Sequence, residues 1–315
     1  MEAEPERGGA GGTRTHAGRV EAGGPSRAVL ITGASSGIGL ACAHRLAGLG
    51  FLVFAGVRSE AGEHAARALG PSVLPVRLDL LDAAAVRAAA DQVASELSQR
   101  AVPGLAGLVN NAGVAVAGPL EFLPVEAFRE QMEINVTGQL AVTQAFLPLL
   151  RRADPPARIV FMGSVSGLLA LPFMGPYSAS KFALEALADS LRLELLPWGI
   201  HVALIEPGSV RTPIWQKGAA LAQRMADRFP PEAERLYGRA MRAVQRYAAR
   251  LGETGIAPEE VARAVAHALT APRPRTRYLV APPRRARTTR LLRWLPDRVR
   301  DRLLTKGLRL SRGRD

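Results

Sequence analysis

Tyr177 and Lys181, in the stretch Tyr177-Ser178-Ala179-Ser180-Lys181, stand four residues apart, one helical turn, so both side chains share a face. A free tyrosine titrates at about 10, and a cation held beside it favours the phenolate and draws that value toward neutral pH. Such a pair is a source and sink of protons for acid-base chemistry. Alone, the pair reads equally well as an ordinary Tyr and Lys on a surface helix. The case for chemistry rests on elements elsewhere in the chain that call for a ligand beside them.

The first of these is a turn. Ala28 to Ile31 is a short apolar run that predicts a buried strand, Thr32-Gly33-Ala34-Ser35-Ser36-Gly37-Ile38-Gly39 follows directly, and a helical pattern runs from Leu40 to Leu49. Glycines let the backbone approach a pyrophosphate, and the helix start offers free N–H groups and partial positive charge to it. A second apolar run, Phe51 to Val57, ends about 20 residues beyond the glycine turn, where an acid would hold the adenine ribose of NAD. Val57 and Arg58 stand there instead. An arginine suits a 2′-phosphate, so NADP(H) is favoured, with NAD(H) as the alternative if Arg58 is only a solvated loop residue.

Together these motifs resemble the short-chain dehydrogenase/reductase family in its ordinary single-domain form, over about Arg27 to Val280. The resemblance rests on Thr32 to Gly39 as the cofactor turn, Asn110-Asn111-Ala112-Gly113 after the fourth strand, and Tyr177 to Lys181. It implies cofactor contacts from Thr32, Gly33, Ser35, Ser36, Gly37, Ile38, Gly39, Asn110, Ala112 and Gly113. It adds Asp79-Leu80 at the adenine and Pro207, Gly208, Val210 and Thr212 on the nicotinamide side. Carried over by motif, Ser164 is the catalytic serine, with Ser166 as competitor, and Asn135 in Asn135-Val136-Thr137-Gly138 holds a water beside Lys181. Ser164 would hydrogen-bond a carbonyl oxygen, Tyr177 would protonate it, and Lys181 would hold the nicotinamide ribose and lower the tyrosine pKa. Gly167 through Leu196 is similar to the 17-beta-hydroxysteroid and retinol dehydrogenase group. Homodimers or homotetramers are what the resemblance implies.

The rest of the chain fits around these motifs. Apolar strands alternate with Ala- and Leu-rich helical stretches, as at Ser72 to Leu78, Ala83 to Leu97, Leu105 to Val109 and Glu126 to Arg151, which predicts an α/β fold with a doubly wound parallel sheet of Rossmann type. With 315 residues and 48% apolar content, one core suffices. Residues 1–26 read as a disordered leader, 27–282 as the Rossmann domain, and 283–315 as a basic amphipathic segment. Within the domain, about 213–256 predicts a helical lid whose Ile214, Trp215, Leu221, Met225, Phe229, Leu236, Tyr237, Met241 and Tyr247 recur at helical spacing. With Leu168, Leu171, Phe173 and Met174 they suggest a pocket for a lipophilic alcohol or ketone, steroid-, retinoid- or long-chain-like, or else the lid's own packing.

Cys42 is the single cysteine, so a reducing, cytoplasmic setting is expected, and no metal site is read. No run has the eighteen or so apolar residues of a membrane span. The net charge of +13 does not point to nucleic acid, because residues 283–315 carry twelve Lys or Arg against three Asp and so hold +9 of it. That segment also carries Leu291, Leu292, Trp294, Leu295, Val299, Leu303, Leu304 and Leu308 among its arginines, broken at Pro296. It reads as a helical pair that either lies peripherally on an anionic bilayer or packs on the protein body or a partner subunit. Two functions remain open from sequence: an NADP(H)-dependent oxidoreductase, or a catalytically silent cofactor-binding regulator or scaffold. The intact set Asn135, Ser164, Tyr177 and Lys181 favours the enzyme.

Overall fold

The computed structural model describes residues 27–307. The leader predicted at 1–26 lies outside the described residues, as does the end of the C-terminal segment. In chain order the elements are β1 (Arg27–Thr32), α1 (Gly37–Ala47), β2 (Phe51–Val57), α2 (Glu60–Arg67), β3 (Val73–Arg77), α3 (Ala83–Gln99), β4 (Leu105–Asn110), α4 (Val125–Met132), α5 (Gly138–Leu150) and β5 (Arg158–Met162). There follow α6 (Gly175–Glu194), β6 (His201–Pro207), α7 (Ile214–Ala226), α8 (Pro231–Thr254), α9 (Pro258–Thr270), β7 (Arg277–Val280), α10 (Pro283–Trp294) and α11 (Asp297–Gly307).

The predicted apolar runs become strands: β1, β2 and β4 are buried on both faces, as a parallel sheet covered by helices requires, while β3 at the sheet edge keeps Leu74 and Pro75 half-buried and Arg77 exposed. The seven strands pair in parallel in the order β3-β2-β1-β4-β5-β6-β7. Side chains of β1 alternate: Ala28 and Leu30 enter the core with α3, α5 and α6, while Val29 and Ile31 enter the core with α1 and α9. Ile159 and Phe161 of β5 face the first core, Val160 and Met162 the second. The winding reverses between β1 and β4, so the chain parts there at the carboxyl ends of the strands and leaves a crevice. α4 and α5 are joined without a loop by one π turn, Glu133–Thr137, which carries Asn135. α7 and α8 form the predicted lid.

Candidate active site

One cavity of about 990 Å³ fills the crevice, from Arg58 and Asp79 at one side, past the glycine turn, to Tyr177 and beneath the lid. Gly33 sits at φ +65 with Ala112 so near that any Cβ would lie 2.9 Å from its Cα, so only glycine closes this turn. Thr32, at the end of β1, accepts hydrogen bonds on its hydroxyl from the backbone N–H groups of Asn111 and Ala112, both at 2.9 Å. The Asn111 amide returns two bonds to the carbonyls of Thr32 and Gly33, at 2.9 and 3.2 Å. The ends of the two switch-point strands are thus bolted to each other.

The first turn of α1 faces the cavity with its donors unspent. Ser36 makes no side-chain cap and no acidic residue stands in that turn, whereas Ser59 caps α2 and Asp82 caps α3. Free N–H groups at a helix start beside glycines suit a pyrophosphate. Ser35, Ser36, Gly37 and Ile38 line the cavity here, as do Arg58, Asp79 and Leu80 beyond and Ala112, Gly113, Pro207, Gly208, Val210 and Thr212 on the far wall. Val57, Arg58 and Ser59 close the end of β2 with no acid among them, and Arg58 is exposed.

Three residues expected at the cofactor do not reach the cavity. Thr32 is the bolt described above, Gly39 packs its Cα against the Gly33 carbonyl and Asn111, and the fully buried Asn110 donates to the Thr143 hydroxyl at 2.9 Å. They stand behind the residues that line the cavity. Asn111, Ser59 and Ser209 line it instead.

The four catalytic candidates converge at the middle of the cavity. Ser164 follows β5, lines the cavity with Tyr177, and accepts the N–H of Ser166 on its hydroxyl at 3.1 Å. Ser166 lines the cavity beside it. Lys181, 3% exposed, donates to the Met162 carbonyl at 2.7 Å with its ammonium 5.6 Å from the Tyr177 ring centre. Burial pushes the Lys181 pKa down to about 8. The sequence expectation that Lys181 lowers the tyrosine pKa is corrected: burial raises the Tyr177 pKa, and the neighbouring Ser164 hydroxyl is what opposes the rise. The physical reason is that the ammonium is drawn to Met162 while the phenol sits where charge is poorly solvated.

Asn135 is wholly buried, and its amide is fully engaged away from Lys181. It accepts from the N–H of Val114 at 2.9 Å and donates to the carbonyl of Val114 and the hydroxyl of Ser180, each at 3.0 Å. Ser180 in turn donates to the Tyr177 carbonyl at 2.7 Å. Gln131, one turn before, bonds both Val116 and Val114, and Gln139, one turn after, bonds the Ala112 carbonyl. These three fully buried amides at four-residue spacing clamp the cavity-lining loop 112–116 to the helices. Motif reading found Asn135 alone; the spacing of the other two was the available signal.

The lid splits the apolar candidates. Ile214, Trp215, Phe229, Met241 and Tyr247 line the cavity with Leu171, Phe173 and Met174 from the opposite wall. Leu221 and Met225 pack with Val116 and Leu123, Leu236 is exposed, and Leu168 does not line the cavity. Tyr237 donates to Glu121 at 2.6 Å and meets Phe122 and Phe173 edge-on, with ring centres 6.0 and 6.1 Å apart. Phe173 holds φ +65, costly for a bulky side chain, and the Gly118 N–H donates to its carbonyl at 2.8 Å.

Known proteins share this arrangement. The short chain dehydrogenase family pattern matches residues 27–221, from β1 through the start of the lid. The chain belongs to the short-chain dehydrogenase/reductase family. It is 33% identical to the NADPH-dependent 3-dehydrocapnine reductase of Ornithobacterium rhinotracheale over 90% of this chain and 98% of that protein. It is 39% identical to the human 17-beta-hydroxysteroid dehydrogenase type 1, over 79% of this chain and 76% of that one. The structure of a short chain dehydrogenase/reductase from Burkholderia phymatum in complex with NAD superposes with a TM-score of 0.71 at 27% identity, covering 92% of this chain and 97% of that one. As a family member the protein is an oxidoreductase of alcohol and carbonyl groups that uses a nicotinamide dinucleotide. The unspent donors of α1 and the elongated cavity fit such a cofactor.

Proposed function

We propose that the protein interconverts a lipophilic alcohol and its carbonyl compound with NADP(H), using Tyr177 as general acid and base. The observation that carries this reading is the convergence of Ser164, Tyr177 and the buried Lys181 on one cavity between the glycine turn and an apolar lid. A bound dihydronicotinamide would supply the hydride; the chain supplies orientation, a dry setting and the proton. Ser164 fixes the substrate oxygen. Tyr177, kept protonated by burial, gives up its proton only as negative charge grows on that oxygen, the order that carbonyl reduction requires. Lys181, with one of its three donors on Met162, has two left for the ribose hydroxyls. Asn135 ties Ser180 and the Val114 loop to the helix that carries Tyr177 and Lys181, and its expected water-holding role would fall to atoms other than its engaged amide.

Arg58, with no acid beside it, supports NADP(H), as does the NADPH dependence named for the Ornithobacterium relative. The Burkholderia relative binds NAD, so NADH is the necessary comparison. The apolar lid lining supports a lipophilic substrate, and the hydroxysteroid dehydrogenase relative lends the same weight. The working unit in this reading is one domain, 27–282, acting as a homodimer or homotetramer in a reducing, cytoplasmic setting. Incubation with NADPH and a panel of ketones, aldehydes and quinones tests it. Loss of the dihydronicotinamide absorbance with an apolar ketone is the expected result; tight cofactor binding without turnover on any member would instead make the protein a silent, regulatory relative.

A further inference from the structure

The redox site leaves α10 and α11 unused. Both are helical to Gly307, and neither contributes a residue to the cavity. Along α10, Arg284, Arg287, Leu291 and Trp294 are all exposed and follow one another at spacings of three, four and three, which puts them on one face. Along α11, Val299, Arg302, Leu303 and Lys306 repeat the arrangement, again all exposed. Leu291 is 64% exposed and Trp294 81%, while Val299 and Leu303 are 44% and 49%. Large side chains so placed lose free energy to water unless something covers them.

Charge narrows what that cover is. From Pro283 to Gly307 the chain carries nine Arg or Lys and two Asp, and Asp297 and Asp301 lie off the Val299–Lys306 face. Asp297 is paired with Arg300 on its own helix. Arg285 and Arg293 also lie off the apolar face, and Arg293 reaches the field of Glu206 in the protein body. A patch of apolar side chains flanked by cations needs a surface that is negative at its rim and apolar just beneath. A protein interior would leave these guanidinium groups without counter-charges, and a nucleic acid offers no apolar layer for Leu291, Val299 and Leu303. Among the described residues no helix is long and apolar enough to cross a membrane, so such a contact lies in the interface plane.

We propose that α10 and α11 form an interfacial foot that holds the protein on an anionic lipid bilayer. The foot leaves the sheet at the cavity's end: β7 runs parallel to β6, so α10 starts where the strands point toward the cavity. A Cβ built on the cavity-lining Gly208 would lie 3.2 Å from the Cβ of Ala281, just ahead of α10. The inference does not rest on the redox reading.

The test is co-sedimentation of the full chain with vesicles of phosphatidylcholine alone and of phosphatidylcholine mixed with phosphatidylglycerol. The mixed vesicles should bind the protein, with affinity falling steeply as salt rises. The Leu291→Ser/Trp294→Ser double variant should bind about tenfold more weakly or worse, the loss that follows from keeping such side chains in water. Its turnover on a water-soluble substrate should not change. Brominated lipid should quench the tryptophan fluorescence of the native chain, and Trp294→Phe should remove that quenching while keeping the binding. Equal pelleting with and without phosphatidylglycerol, or binding untouched by the double serine variant, would overturn the proposal. So would self-association or retention on single-stranded RNA, lost in that variant, in place of vesicle binding.

Discussion

The two halves of the cavity are held by different forces. On the glycine-turn side, wall positions are set by buried and partly buried hydrogen bonds between fixed groups: Thr32 to Asn111 and Ala112, Asn111 to Gly33, and the amides Gln131, Asn135 and Gln139 to loop 112–116. On the lid side, hydrogen bonds tie mainly the ends, Trp215 to the Val210 carbonyl and Arg211 to the Gly255 carbonyl, each at 2.8 Å, while the body of the lid rests on the exposed Tyr237–Glu121 bond, aromatic edges and the packing of Leu221 and Met225 on Val116 and Leu123. Buried polar bonds have narrow geometry and are costly to leave unmade, whereas aromatic and aliphatic contacts tolerate sliding. A dinucleotide of constant shape suits the first wall. A bulky apolar substrate that must enter and leave suits the second.

Four substitutions probe this contrast, from the most to the least damaging. Gly39→Ala attacks the rigid wall directly, because its Cβ would lie 2.3 Å from the Gly33 carbonyl oxygen and 2.6 Å from the Asn111 amide. The turn must move, and dinucleotide affinity should fall by about 10²-fold, with about 1 to 3 kcal/mol lost from stability, read by fluorescence titration and urea unfolding. Arg58→Ala removes a cation at the cavity edge and spares the wall, so the Kd for NADPH should rise about tenfold while that for NADH stays put. Equal losses for both cofactors would show that Arg58 does not read the 2′-phosphate. Tyr237→Phe cuts the lid's bond to Glu121 and should raise KM for bulky substrates about two- to tenfold, leaving NADPH affinity and the KM of a small ketone as they were.

The mildest case lies beneath both halves. Glu206, next to last in the strand β6, has its pKa pushed up to about 7 by burial first and by neighbouring Glu185 second, against the pull of Arg277. A carboxyl whose folded-state pKa is above its unfolded value holds its proton more tightly when folded. Its stabilisation is complete below the unfolded value and drains away as pH rises through about 7. Unfolding free energy should therefore fall between about pH 5 and pH 8, and Glu206→Gln should flatten that slope.

What the sequence made legible follows the same division. Strands announced themselves as apolar runs, and the glycine turn as a motif, because both are local consequences of burial and backbone freedom. Membership of a motif did not reveal which residues line the cavity: Thr32, Gly39 and Asn110 brace its wall from behind. The direction of the Tyr177 pKa was unreadable because it depends on burial depth and on where the Lys181 ammonium is drawn, both tertiary facts. The left-handed Phe173 and the division of lid residues between cavity and packing are likewise fixed only when distant segments meet.

The account stands on Tyr177 as the proton donor. Tyr177→Phe deletes one hydroxyl and little volume, so NADPH should bind with nearly unchanged Kd while turnover of a good ketone falls by about 10²- to 10⁴-fold. A variant that binds NADPH normally and still reduces that ketone at more than about a tenth of the native rate would contradict it.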